Sequence, residues 1–262
     1  MIELVTYPML FRFNEIKHFT STRNFGISAG SFSTLNLGLY SEDKPECVRE
    51  NFNRLFDFTG IKPYQLFIPH QTHGDEVLVI DRKFLKQSKQ HQQTLLYGKD
   101  AVICNLPAIY IGVTTADCVP VLLYDPIQKA VGAIHAGWRG TCAKIVAKTV
   151  ERMKIEFDSN PSNMLAVIGP SISANAYSVG EELMGEFEKV GFNSEDIFHK
   201  KGEMLYLDLW KANESVALET GIKKENIEIS GRCTFSECKT FFSARKLGIK
   251  SGRMISVIGK IS

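Results

Sequence analysis

No run of about 18 apolar residues occurs in this sequence of 262 residues, so it offers no candidate transmembrane helix and no membrane role is expected. The opening stretch MIELVTYPMLFRFNEIKHF lacks the basic start, continuous apolar middle and small-residue cleavage site of a secretory signal. Paired cysteines are missing as well. Six are scattered along the chain (Cys47, Cys104, Cys118, Cys142, Cys233 and Cys238) with no CxxC, so a cytoplasmic protein with reduced thiols is expected. Excess charge is also lacking: 31 Lys+Arg against 29 Asp+Glu leave a net +2, which argues against a general nucleic-acid binder. No linker, low-complexity tract or internal repeat divides the chain, so one domain over residues 1–262 is expected. The fingerprints GxGxxG, GxxxxGK[ST], GxSxG and HExxH are all absent, which removes the commonest nucleotide, hydrolase and metalloprotease readings. Nothing in the composition points to an obligate protein partner.

What is present is a series of short apolar runs. QLFIPH at 65–70, EVLVID at 76–81, DAVICN at 100–105, YIGVTT at 110–115, PVLLYD at 120–125 and KAVGAIHA at 129–136 read as strands. Their spacing is too tight for helical crossovers, which predicts antiparallel or mixed sheets. Further strands are expected at 16–23, 164–168, 204–208, 226–229 and 253–260. Val48, Phe52, Leu55 and Phe56 fall at helical spacing in a helix over 45–58, and helices are also expected over 140–156, 180–190 and 209–220. The fold class is therefore α+β, with packed sheets and helices outside.

Histidine is scarce: His18, His70, His73, His91, His135 and His199. His73, Cys118 and His135 each sit at a strand end or in the turn beyond it, where a scaffold can bring separate segments to one point. A thiolate with two imidazoles suits Zn²⁺, and three protein ligands leave a position open for chemistry. The other reading is a small buried cysteine and two hydrogen-bonded histidines, because separations of 45 and 17 residues match no compact zinc motif. Asp117 is a candidate proton relay or ligand-orienting acceptor, or a turn cap. Arg139, beside Gly140 at a helix start, could meet an anion or simply lie on the surface. Arg23 with the loop to Asn36, and Arg245 in CTFSECKTFFSARK, have the texture of binding loops or of ordinary ones. Trp138 reads as core.

The motifs PHQTHGDEV, TTADCVPVLLYDP, GAIHAGWRGT, IGPSISANAYSVGEE and CTFS…FFSARK resemble the YfiH/YlmD family. That family is also known as the laccase-domain or polyphenol-oxidase-like family, and in bacteria as the peptidoglycan editing factor. The likeness runs from about residue 14 to 260. It implies a single domain with an α/β/β/α layered core of mixed sheets, similar to cysteine hydrolases, and metal ligands at His73, Cys118 and His135. It further implies phosphorolysis of adenosine, guanosine, inosine and methylthioadenosine and deamination of adenosine, with zinc as the cofactor and nucleoside and phosphate as the small-molecule partners. The candidate catalytic residues are then Cys118, Asp117 and His135, and the candidate substrate and phosphate contacts are Arg23, Asn36, Gln71, Arg139 and Arg245. Two alternatives accompany this. In one, Cys118 is the nucleophile of a cysteine hydrolase with His135 as base, editing peptidoglycan precursors. In the other the protein is a copper phenol oxidase, which needs more histidine ligands than six scattered ones supply. TSTRNFGISAG departs from the family in lacking the Gly-Gly pair that commonly follows the arginine, which puts substrate preference in doubt.

Overall fold

The computed structural model describes residues 2–261. Two sheets stack face to face and helices cover their outer faces. One sheet is ordered Leu4–Val5, Ile16–Ser21, Met254–Lys260, Tyr110–Thr115, Leu66–Phe67. The other is ordered Ile227–Ile229, Leu165–Ile168, Val119–Asp125, Ala130–Ala136, Ala101–Cys104, Val77–Ile80. Both are mixed: the last two strands of each order pair in parallel, as does the first pair of the second sheet, and the other neighbours are antiparallel. A small three-stranded sheet, Ser178–Val179, Met204–Leu207 and Phe198–Lys201, shares no strand pairing with these two but packs Phe198, Leu205 and Leu207 into the same apolar cluster as Val119 and Val121.

Alternation along the strands builds the layers. Val119, Val121 and Leu123 face the helices Ile145–Phe157 and Leu209–Glu219, with Ile145, Val150, Met153 and Val216 in the same apolar cluster. Leu122 and Tyr124 point the other way, into a cluster with Ile111, Val113 and Ile258 of the first sheet. That sheet's outer face, with Phe19, Tyr110 and Val257, packs on Val48, Phe52 and Leu55 of the helix Pro45–Thr59. Strands covered on both faces read as unbroken apolar runs, which is why PVLLYD and KAVGAIHA show no polar alternation. The expected α/β/β/α order is the one observed.

The helix Pro45–Thr59 has Pro at its first position and ends on Gly60 at φ +73°, the left-handed cap that glycine adopts without a Cβ clash. The helix expected over 140–156 is instead two, Trp138–Cys142 and Ile145–Phe157, broken at Lys144, where φ is +55°. No glycine or proline announces the break. The short helix is clamped elsewhere: a Cβ on Gly140 would stand 3.1 Å from the Gly74 carbonyl oxygen, and Thr141 Oγ1 accepts from Asn213. The run 65–70 shrinks to Leu66–Phe67, and short elements such as Lys89–Leu96 and Phe198–Lys201 were not expected. No helix among the described residues is long and apolar enough to cross a membrane.

His18, in the strand Ile16–Ser21, is buried, and its Nε2 accepts from Tyr7 N–H at 3.1 Å. Burial pushes its pKa down to about 4 from 6.5. The unfolded chain then takes up a proton that the folded chain refuses, so this contribution is complete above pH 6.5 and is lost as pH falls toward 4. It amounts to about 3 kcal/mol. Urea unfolding at pH 7 and 4.5 should show this loss in the wild type and a smaller one in His18→Gln.

Candidate active site

The site forms where the chain crosses between the stacked sheets. Tyr110–Thr115 belongs to the first and Val119–Asp125 to the second, and Ala116-Asp117-Cys118 joins them. Val119 pairs with Ala136 and Pro120 with His135, so Cys118 reaches the end of the strand that carries His135. The ring nitrogens of His73 and His135 and Cys118 Sγ all lie within 4.8 Å of one another. The two rings meet edge to face, centroids 4.9 Å apart. A Cβ on Gly137 would sit 3.1 Å from Cys118 Sγ and 3.2 Å from His73 Cδ2, so glycine after Ala136 gives the three side chains room to close up.

Two residues at this point hold left-handed backbones without being glycine: His73 at φ +62° and Asp117 at φ +80°. Each is fixed by a carboxylate. Asp117 Oδ1 accepts from Thr234 Oγ1 at 2.6 Å and its Oδ2 from Arg245 N–H at 2.7 Å, while its carbonyl accepts from Ile172 N–H. The His73 loop is gathered by Asp100, which is fully buried just before the strand Ala101–Cys104. Its carboxylate accepts from the backbone N–H groups of Thr72 (3.1 Å), His73 (3.0 Å) and Gly74 (2.7 Å), and Oδ1 also lies 2.7 Å from His135 Nδ1. With Nδ1 so engaged, His135 presents Nε2 to the site.

The electrostatics follow from these contacts. Burial opposes a charge on Cys118, but the adjacent His135 and His73 outweigh it and hold the thiol down at about 6. Burial likewise opposes charge on His135, yet Cys118 and Asp100 raise it to about 9. Asp100 is itself kept below the usual carboxylate range, because His135 and the loop N–H groups overcome its burial. One soft sulfur and two borderline nitrogens at this separation form a donor set that fits a tetrahedral divalent ion with one position open. Asp100 is the outer partner such a site needs to orient an imidazole.

All three donors line a cavity of about 580 Å³, together with Gln71, Thr115, Tyr177, Arg245 and Arg253. Tyr40 lies flat on His70 at its rim, centroids 3.7 Å apart and planes 11° apart. Gln71 lines it too, although its amide is spent clasping Thr114, donating to the carbonyl and accepting from N–H, both at 2.8 Å.

Three sequence candidates lie outside the cavity lining. The Arg23 guanidinium donates to the carbonyls of Ser33 and Cys238 at 2.7 Å each and stacks on Phe242, so it fastens two loops outside the cavity lining. Asn36 is fully buried and fully used: Oδ1 accepts from Gly38 and Arg253 N–H, and Nδ2 donates to Ser41 and Asp43. Arg139 is exposed, 4.3 Å over the ring of Trp138, and does not line the cavity; Trp138 is partly buried and packs against the apolar core. Asp117 lines the cavity with each carboxylate oxygen accepting one hydrogen bond, which suits an orienting acceptor. Asp100, Tyr177 and Arg253 were missed. The one available signal was an acid immediately preceding a wholly apolar strand in KDAVICN.

The comparisons with known proteins agree with this fold and motif set. A family model described as "Multi-copper polyphenol oxidoreductase laccase" matches residues 17–260. A protein of Bacteroides thetaiotaomicron named purine nucleoside phosphorylase is 42% identical over 257 residues, 97% of this chain and 95% of its own length. One from an unknown prokaryotic organism, named adenosine deaminase RL5, is 35% identical over 98% of this chain and 99% of its own. The crystal structure of YlmD from Geobacillus stearothermophilus superposes with a TM-score of 0.89 at 28% identity, covering 98% of this chain and 94% of that one.

Proposed function

The chain belongs to the laccase-like YfiH/YlmD family, and from that membership we propose that it is a purine nucleoside enzyme. In this reading it phosphorolyses adenosine, inosine, guanosine and methylthioadenosine to base and ribose 1-phosphate, and deaminates adenosine to inosine. The carrying observation is the convergence of His73, Cys118 and His135 on one wall of a cavity of nucleoside size, in a chain whose relatives bear those enzyme names. A zinc ion held by the three would supply Lewis-acid polarisation at the reacting centre.

The chain's own residues do the rest. Asp100 fixes the His135 ring and the His73 loop, so the ligands are set before any substrate arrives. Tyr40, half exposed and backed by His70, offers a flat face against which a purine can stack. Asp117 sets the backbone of Arg245 at the cavity wall. Multi-copper chemistry is not supported by the other histidines. His18 is buried against Tyr7, His70 is stacked under Tyr40, His91 and His199 are exposed, and the described residues contain one three-ligand group.

A second reading rests on the alignment Asp100–His135–Cys118, which also has the form of a cysteine hydrolase triad suited to editing a peptidoglycan precursor. Two imidazoles on one sulfur favour the ion over the nucleophile. The readings separate on thiol chemistry. In metal-loaded protein Cys118 should resist iodoacetamide until a chelator is added, then react ahead of Cys104, whose thiol burial pushes up to about 12. Rapid Cys118 labelling without chelator, located by peptide mass spectrometry, would favour the hydrolase. The activity itself is tested by incubating adenosine with and without phosphate and separating adenine, hypoxanthine and inosine by chromatography. Phosphate-dependent adenine and phosphate-independent inosine are expected; adenosine left unchanged in both arms would refute the proposal.

A further inference from the structure

We propose that the apolar groove between the helix Pro45–Thr59 and the strand Leu66–Phe67 is a second binding site, for a small apolar monocarboxylate, and that its occupancy reaches the catalytic cavity through the loop 38–43. The groove has a volume of about 490 Å³, within the range of small-molecule sites. Leu39, Val48, Phe52, Phe56, Leu66 and Ile68 supply its apolar lining. From the helix, Val48, Arg49, Phe52, Asn53 and Phe56 recur at helical spacing, so one continuous stripe is turned toward the groove.

One cation marks the place of the head group. Arg49 lines the groove, is exposed, and its guanidinium meets no acceptor among the described residues, whereas Arg54 further along the same helix is paired with Glu50. The acid of the groove is already engaged. Asp43 accepts from Asn36 Nδ2 at 3.0 Å and from Lys44 N–H at 2.8 Å, and it forms no ion pair with Arg49. A guanidinium fork with its donors unspent, beside an apolar floor, suits a carboxylate on a hydrocarbon body. The Asp43 charge in the same lining disfavours a dianion such as a phosphate monoester, so one negative charge is the match.

The groove backs onto the catalytic cavity. Residues of one loop face opposite ways: Gly38 and Tyr40 line the catalytic cavity, Leu39 and Asp43 line the groove, and Ser41 lines both. Asn36 pins this partition, its Oδ1 accepting from Gly38 N–H and its Nδ2 donating to Ser41 and Asp43. Leu39 and Tyr40 are still 49% and 56% exposed, so an occupant can cover Leu39 while Tyr40 stays against His70. A hydrocarbon packed on Leu39 fixes the loop that carries Tyr40, the ring offered to the purine, and nucleoside binding then has less left to order. This link rests on the nucleoside reading; binding in the groove does not.

Octanoate is the probe, titrated by calorimetry into the full chain without nucleoside. Saturable binding of one molecule per chain is expected, weakened roughly 3- to 10-fold in Arg49→Leu. It should be abolished in Asn53→Trp, whose ring fills the groove from an exposed helix position. Both substituted positions are exposed, so the fold should be kept in each variant. Octanol, which has the chain without the charge, should bind wild type and Arg49→Leu alike. Adenosine should bind octanoate-saturated protein several-fold more tightly than octanoate-free protein, and adenosine should tighten octanoate by the same factor. No saturable octanoate binding, or equal binding by wild type and both variants, would overturn the site. An adenosine affinity indifferent to octanoate would overturn the link across the loop. Adenosine left without turnover would count against the nucleoside reading alone, because octanoate binding is read without nucleoside.

Discussion

Cys118→Ala should abolish metal retention and lower nucleoside turnover about 10³-fold, while the fold persists. The sulfur is the one soft donor of the trio, and its charge is the only negative charge among the three ligands. Two neutral imidazoles cannot replace it, and without an anionic ligand the affinity for a divalent ion falls steeply. The loss in turnover corresponds to about 4 kcal/mol of transition-state stabilisation, the scale expected when a Lewis acid is removed. The fold should survive because Sγ takes no part in the apolar clusters that bind the sheets to each other and to the helices. Metal content by mass spectrometry, turnover, and the unfolding midpoint should be measured on one preparation. A variant that turns over at the wild-type rate without metal would remove the ion from the mechanism.

Asp100 is the second residue on which a large effect is expected, and the effect divides between two substitutions. Asp100→Ala leaves three loop N–H groups and His135 Nδ1 without their acceptor in a fully buried place. Such a break in a buried charged network costs about 3–5 kcal/mol of stability. Asp100→Asn keeps the shape and loses the charge. It should retain most of the fold but weaken metal affinity about 10- to 100-fold, because His135 is no longer held and polarised through Nδ1. Chelator competition and urea unfolding on both variants would separate the roles. Equal metal affinity in wild type and Asp100→Asn would show that Asp100 only braces the loop.

The convergence of His73, Cys118 and His135 was legible in the sequence because each sits where an apolar run ends, and strand ends are where a layered fold exposes side chains to a common point. The sheets were legible for a related reason: runs such as VPVLLYD are buried on both faces, so hydrophobicity alone marks them. Asp100 was not legible. Its work is to accept from N–H groups that converge only after the His73 loop has folded into a left-handed turn. Polar loops misled for the opposite reason. Arg23 and Asn36 look like ligand contacts, yet an irregular loop has backbone groups that need partners, and these side chains supply them. Arg253 carried no local signal, since it stands before an ordinary strand and meets the cavity only through the pairing of that strand with Tyr110–Thr115.

The most direct measurement is a titration of zinc into chelated, metal-free protein with adenosine turnover followed at each addition. Turnover absent at the start and rising linearly to a plateau at one ion per chain is the result expected, with Cys118→Ala flat throughout. Full turnover before any metal is added, or a wild-type response unchanged in Cys118→Ala, would contradict a reaction centre built on His73, Cys118 and His135.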